Sequence, residues 1–303
     1  MSYKSSPVTV VVPVYNREKL LSRCLDSIAT QSSPPRSLVI VDNNSTDNSQ
    51  KTAAQWAASL DGPMDVRVLT ESRQGAAQAR QTGLEAVETE WVQFFDSDDV
   101  MAPDILSEAL KHTDGADIVC WKRELIGLDG RIRILPFRPD DVFRCHIYNG
   151  MLSTQSYMIR REFLRDAGGW NPDVQVWNDW ELGIRLLLRR PSIVCLDSIG
   201  AIVYSQEVSI TGTSFSAKAG QWENIIDMVQ TYVPDRKDII EMLDYRRVNL
   251  AAIYTREGHP EIGRKLLHAT MRNTCCHPLK RELLKLMYHY TRLGGRGAYR
   301  LWR

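Results

Sequence analysis

The chain reads as an α/β protein with a mixed, mostly parallel sheet, helices on both faces, and a C-terminal helical extension. Three observations predict this. Apolar β-type runs alternate with helical periodicity four times in the first ~110 residues. Two of the runs end on aspartate clusters: Val39-Ile40-Val41 leads into Asp42-Asn43-Asn44-Ser45-Thr46-Asp47, and Trp91 to Phe95 leads into Asp96-Ser97-Asp98-Asp99. From Gln221 onward, apolar residues recur only at helical spacing.

In order, Thr9 to Val14 is a β-branched run that reads as a buried strand. Leu20, Leu21, Cys24, Leu25 and Ile28 make the next helix. Leu38 to Val41 is the second strand, and Ser45 or Thr46 is placed to cap the helix carrying Ala53, Ala54, Trp56 and Ala57. Val66 to Leu69 is the third strand, and Gly75 opens an Ala-rich helix through Ala79, Leu84 and Val87. Trp91 to Phe95 is the fourth strand, and Pro103 suits the first turn of a following helix, where its missing N–H costs little. After a strand at Asp117 to Trp121 the rhythm breaks. Gly127-Leu128-Asp129-Gly130 reads as a hairpin turn, and Pro136 to Met151 as an irregular loop. Ser156 to Ile159 is a strand, Arg161 to Ala167 and Asp179 to Arg189 are helices, and Ile193 to Leu196 with Ile199 to Tyr204 close the sheet. The expected domains are residues 1–215 and 216–303. The helices of the second are expected to pack on the first or to form a homodimer contact.

A chain of 303 residues holds one large domain or a domain with an appendage. A formal net charge of +1 gives no whole-chain argument for nucleic acid as a partner. The charge is uneven: Asp235 to Arg303 carries fifteen Lys/Arg against seven Asp/Glu. The six cysteines are scattered without a C-x-x-C pair, as expected for reduced thiols in the cytoplasm. Met1 to Pro7 lacks the apolar core of a signal peptide, and no stretch approaches the roughly twenty apolar residues of a membrane helix. The expected location is cytoplasmic, peripheral at the inner face of the membrane if the tail binds lipid. That basic tail, with Lys280, Arg281, Lys285 and Arg292 among Leu283, Leu284, Leu286 and Tyr290, either touches anionic lipid head groups or is a solvated face.

Carboxylates at the ends of buried strands are costly unless they meet a metal or a hydrogen-bonding ligand. Ligands of open α/β sheets bind at those ends. The two clusters therefore predict a cleft for a sugar-nucleotide diphosphate held through a divalent cation. Six stretches in order carry a resemblance: Val11-Val12-Pro13-Val14-Tyr15-Asn16; Val41 to Asp47; Gly75 to Gly83 with Ala79-Arg80; Phe95 to Asp99; Gly168-Gly169-Trp170; and Asn178-Asp179-Trp180-Glu181-Leu182. Together they cover roughly residues 8 to 210, and this part of the chain resembles a family 2 glycosyltransferase with the Rossmann-like GT-A fold.

The resemblance implies roles for particular residues. Pro13, Tyr15 and Asn16 border the nucleotide base, and Asp42 accepts from the base N–H; the alternative for Asp42 is a helix cap. Arg73, Gly75 and Arg80 contact the nucleotide, although either arginine also fits a solvated helix face. Asp98 is the metal ligand for Mn²⁺ or Mg²⁺, and Asp96 reaches the ribose or the metal through water; capping is again the alternative. Asp179 is the catalytic base that takes the acceptor proton, giving inverted stereochemistry; its alternative is a helix N-cap. Trp170 stacks on the acceptor or sits in the core. Family members usually place Glu immediately before this Asp, where Asn178 stands here, and many place a metal-binding His where Tyr204-Ser205-Gln206-Glu207 stands, so Gln206 or Glu207 would substitute. The six histidines show no ligand spacing.

The implied activity is inverting, metal-assisted transfer of a sugar, with a UDP-sugar as the donor, to a hydroxyl of a glycan or lipid-linked acceptor in polysaccharide biosynthesis. The alternative is a non-catalytic nucleotide-sugar-binding or assembly subunit, which would have no use for a carboxylate at Asp179.

Overall fold

The computed structural model describes residues 6–135, 141–206, 214–297 and 299. The chain divides into two compact units, residues 1–142 with 150–206, and residues 143–149 with 207–303.

The first unit is built on one nine-stranded sheet. β1 (Ser6–Val14) lies parallel to β2 (Pro35–Asp42) on one side and to β4 (Trp91–Phe94) on the other, and β3 (Asp65–Thr70) is parallel to β2. Beyond β4 the sheet becomes mixed. It continues through β8 (Tyr157–Arg160), β6 (Ile118–Ile126), β9 (Ile193–Tyr204) and the short β5 (Val100–Met101), with β7 (Ile132–Leu135) as a hairpin partner of β6. The two closing runs expected at Ile193 and Ile199 form one strand, whose pairing with β6 shifts register beside Lys122.

β1 carries five valines among its nine residues because both of its faces are covered. Val10, Val12 and Val14 share a core with Leu21, Cys24, Leu25 and Ile28 of α1 (Leu21–Ala29). Successive strand residues point to opposite faces, so Val11 meets α3 (Ala76–Glu85) instead. Gly83 of α3 lies so close that an added Cβ would stand 2.3 Å from Val11 Cγ1 and 3.3 Å from Val41 Cγ2. Gly83→Ala is therefore expected to push α3 off the sheet at a cost of about 1–3 kcal/mol, the range for overpacked cores. The midpoint of urea unfolding measures it.

α2 (Ser49–Ser59) starts later than the expected caps. Asp47 Oδ1 accepts from Ser49 N (2.9 Å), while Ser45 and Thr46 hydrogen-bond to Asn16. Pro103 precedes α4 (Ile105–Ala109), and its carbonyl accepts from Ser32 N. The expected loop from Pro136 to Met151 is helical over α5 (Val142–Asn149), and residues 136–140 lie outside the described residues. α6 (Arg161–Asp166) and α7 (Asn178–Leu188) complete the helices of the sheet-bearing unit.

In the second unit, α5 joins α8 (Gln221–Thr231), α9 (Lys237–Arg256), α10 (Pro260–Asn273) and α11 (Pro278–Arg292). Tyr245, Val248, Ala251 and Ala252 of α9 pack against Leu284, Met287 and Tyr288 of α11 and against Leu266, Leu267 and Met271 of α10. Periodicity alone had not marked 142–149 as helical. The segment holds through Arg246, which donates to Ile147 O, and through the edge-on contact of Tyr148 with Tyr245.

Candidate active site

The strand order reverses at β1: β2 and β3 lie to one side of it and β4 to the other. A parallel sheet opens a crevice at its carboxyl edge at such a point. Asp42, the last residue of β2, stands opposite Val14, the last of β1, and the Asp96–Asp99 cluster follows β4. Both expected carboxylate groups therefore lie on the same edge.

Asp42 is buried. Its Oδ2 accepts from Ser45 N (3.2 Å), whereas Oδ1 has no hydrogen-bond partner among the described residues. A buried carboxylate oxygen without a donor is costly, and a ligand N–H would remove that cost. Asn43, which sequence reasoning passed over, fixes the adjoining loop. Its amide donates to Glu71 O and Arg73 O, and its Oδ1 accepts from Gly75 N at 2.8 Å. Gly75 has φ +144°, and an added Cβ would meet Gln175 Oε1 at 2.9 Å, so glycine is required there. Pro13 pairs with Val41 within the sheet, and Tyr15 is 45% exposed at the mouth. Asn16, with φ +51°, joins the β1 and β2 loops through Thr46 N (2.8 Å) and Ser45 Oγ (3.1 Å).

The two arginines differ. Arg73 is solvent-facing, and its Nε and Nη2 are already bonded to Glu71. These bonds and one from Thr82 hold the Glu71 carboxyl down to about 2. Arg80 is buried: Nη2 donates to Asp96 Oδ1 (2.6 Å), Nη1 to Asn178 Oδ1 (2.8 Å), and the guanidinium lies 4.9 Å from the centre of the Trp170 ring. It is a brace between the β4 cluster and the start of α7, not a solvated helix-face residue.

Asp96 also accepts from Gln155 Nε2 on Oδ2 (2.5 Å). The same nitrogen donates to Asp99 Oδ2 (2.7 Å), whose Oδ1 accepts from Tyr204 N (3.0 Å). Asp99 therefore ties the cluster to the end of β9, and Gln155 keeps two carboxylates apart by sharing an amide between them. Burial, then Asp96 and Asp98, push the Asp99 carboxyl well above its ordinary range. Asp98 is also shifted upward by burial and by Asp96; its Oδ2 accepts from Arg17 Nε at 3.2 Å.

Asp179 lies in the first turn of α7 and accepts from Trp180 N (2.8 Å). The helix starts abruptly because Trp177 takes a left-handed conformation, φ +51°. Arg185 clasps this helix to the Gly168-Gly169 turn by donating to Ala167 O and Gly169 O and pairing with the buried Glu181. Burial and the charge of Asp96 push the Asp179 carboxyl up, against the pull of Arg80 and Arg123. Arg123, another residue that sequence reasoning did not single out, is a half-buried cation that donates to Ser153 Oγ and feels the charges of Asp179, Asp99 and Asp96. Trp170, expected either at the acceptor or in the core, is 1% exposed and packs edge-on to Phe94 at 5.0 Å. This packing is that of the core alternative.

Among the described residues, no three His, Cys, Asp or Glu side chains form a cation cage. Mg²⁺-type sites need only one or two carboxylates when phosphate oxygens supply the remaining ligands. Asp98 fits that pattern: it is largely buried, carries one arginine bond, and sits beside a second carboxylate whose charge a cation would offset. Gln206, expected in place of a histidine, donates to Tyr204 O at 3.5 Å, and Glu207 lies outside the described residues.

The family model for glycosyl transferase family 2 matches residues 9–167, just over half of the chain. Among curated relatives, glycosyltransferase GlyA of Streptococcus pneumoniae is 38% identical over 106 residues, 34% of this chain and 14% of GlyA. In eight such relatives the aligned stretch takes up 14% to 63% of their own length. Two solved structures share the fold. One is S. aureus TarS 1–349 in complex with UDP-GlcNAc, with a TM-score of 0.69, 20% identity, 97% of this chain and 89% of that one covered. The other is the mannosyltransferase PcManGT of Pyrobaculum calidifontis in complex with GDP-Man and Mn²⁺, with a TM-score of 0.61, 21% identity and 98% and 82% covered. The sheet with its reversal at β1 and the match over residues 9–167 lead to one assignment: the chain belongs to glycosyl transferase family 2, with the GT-A fold.

Proposed function

We propose that this chain is an inverting glycosyltransferase that moves a sugar from a nucleoside-diphosphate sugar to a hydroxyl of a glycan or lipid-linked acceptor, with a divalent cation assisting. The observation that carries this reading is the bridge made by Arg80, which bonds the Asp96 carboxylate on one side and the amide of Asn178, the neighbour of Asp179, on the other. Residues for the donor and for the acceptor would thereby share one brace, which supports the close approach that displacement at an anomeric carbon requires.

Asp42 would take the base N–H on its unpaired Oδ1, and Gly75 would let the backbone approach the nucleotide. Pro13, Tyr15 and Asn16 would line the base. Asp98, with Asp96 beside it, would hold Mn²⁺ or Mg²⁺, which when bound neutralises the charge developing on the leaving diphosphate. Asp179 would remove the acceptor proton. A carboxyl raised above its ordinary range is a stronger base than a solvated aspartate. The UDP and GDP sugars carried by the two similar structures support a nucleotide sugar as donor, and UDP-sugars remain the first choice. Polysaccharide or surface-glycan assembly facing the cytoplasm is the proposed setting. No helix among the described residues is long and apolar enough to cross a membrane.

The test is thermal unfolding with UDP-GlcNAc, UDP-glucose and GDP-mannose, with and without Mn²⁺. A matching donor at a hundred times its dissociation constant should raise the midpoint by about 5 °C. The shift should vanish in EDTA. A panel with no shift in either condition overturns the donor reading.

A further inference from the structure

The outer face of α11 is apolar where a solvated helix would be polar. Leu279, Leu286 and Leu293 are 76%, 65% and 82% exposed, and Tyr290 is 51% exposed. A seven-residue step returns to nearly the same side of a helix, so these residues form one stripe along α11 and its C-cap. The stripe is separate from the inner face, where Leu284, Met287 and Tyr288 meet α9. Single exposed leucines are ordinary; a run of four along one helix marks an interaction surface.

The charge around the stripe indicates what covers it. Residues 260–297 carry eight Lys/Arg against two Glu. Arg264, Lys265 and Arg272 are exposed on α10, where they line an open cleft of about 530 Å³ with His268 and Asn273. Lys285 and Arg292 are exposed on α11, and Arg296 follows it. Arg281 Nη2 donates to Met271 O, so the two helices are joined. A second copy of the chain laid stripe to stripe would bring these cations against their own counterparts. An anionic surface would neutralise them while the leucines enter an apolar layer.

We propose that α11, through its apolar stripe and together with the exposed basic side chains of α10 and α11, docks on the head-group layer of an anionic phospholipid bilayer. The leucines and Tyr290 sink to the acyl boundary, and the long basic side chains reach the lipid phosphates. This goes beyond the chemistry proposed above and does not depend on it, because the surface is read by lipid binding and not by turnover.

The experiment is co-sedimentation of the full chain with vesicles of phosphatidylcholine alone and of phosphatidylcholine with one third phosphatidylglycerol. Partitioning onto the anionic vesicles should exceed that onto the neutral ones by about ten-fold or more and fall in high salt. The double variant Leu286→Ser/Leu293→Ser should lose about ten-fold of the binding. Its melting temperature should be unchanged, since both side chains are already in solvent. Lys285→Gln/Arg292→Gln should weaken binding to the anionic vesicles and leave the weak neutral binding as it was. Equal binding to both vesicle types, or full binding by the serine variant, overturns the proposal. So does a dimer in sedimentation velocity that the serine variant splits into monomers, which would assign the stripe to a second copy.

Discussion

Asp179→Asn lowers turnover by about a thousand-fold, within the range for loss of a general base, while donor affinity stays at the wild-type value. Asn keeps the shape of the side chain and its bond from Trp180 N, and it leaves Arg80 braced between Asp96 and Asn178. What it removes is the capacity to take a proton. Pre-steady-state nucleoside diphosphate release, set beside donor titration by calorimetry, separates the two effects. The pH dependence supplies a second readout. The base works ionised, and burial with Asp96 raises its proton affinity, so wild-type turnover should fall as pH drops through a value above the ordinary 3.8. For folding the sign is opposite. A carboxyl raised in the folded state contributes most below its unfolded value and loses that contribution as pH rises through the folded one. The Asn variant should therefore melt no lower than wild type at neutral pH. Wild-type turnover in Asp179→Asn would rule out the base assignment.

Asp98→Asn abolishes cation-dependent donor binding. Mn²⁺ and a nucleotide sugar together should no longer raise the melting temperature, and turnover should fall to background at every Mn²⁺ concentration. The apo variant should be as stable as wild type or more so, because Asp98 carries its charge in a place that burial and Asp96 make unfavourable. That combination distinguishes loss of a ligand from loss of fold. A variant that keeps its Mn²⁺-dependent shift would move the metal assignment away from Asp98.

The strands of the first unit were legible because both faces of the sheet are buried, so Val8 to Val14 and Leu38 to Val41 are continuous apolar runs whose ends can be read directly. The strand-end carboxylates were legible for the same reason: a charge after such a run has no bland place to go. Less legible were residues whose position depends on distant partners. α5 is held by Arg246 and Tyr245, about a hundred residues away, and its own pattern is a weak guide. Gln155 looks like any polar residue in a strand-leading turn until Asp96 and Asp99 arrive on either side of its amide. Ser45 and Thr46 offered plausible helix caps, but Asn16 claims both, and Asp47 takes over at Ser49. Trp170 matched a family motif, yet the ring packs on Phe94 beneath Arg80. A motif reports which residues recur together, and burial decides which of them meet a ligand.

The double grip of Arg80 has a consequence for how this protein can diversify. One cation bonds both Asp96, at the strand end proposed for the nucleotide, and Asn178, on the helix proposed for the incoming alcohol. An altered residue at Asn178, selected for a new acceptor, would tug on Asp96 and be felt as a changed appetite for the donor. Substrate preferences on the two sides should therefore drift together across descendants of this chain, and a swap of one half alone should arrive with its partner out of tune.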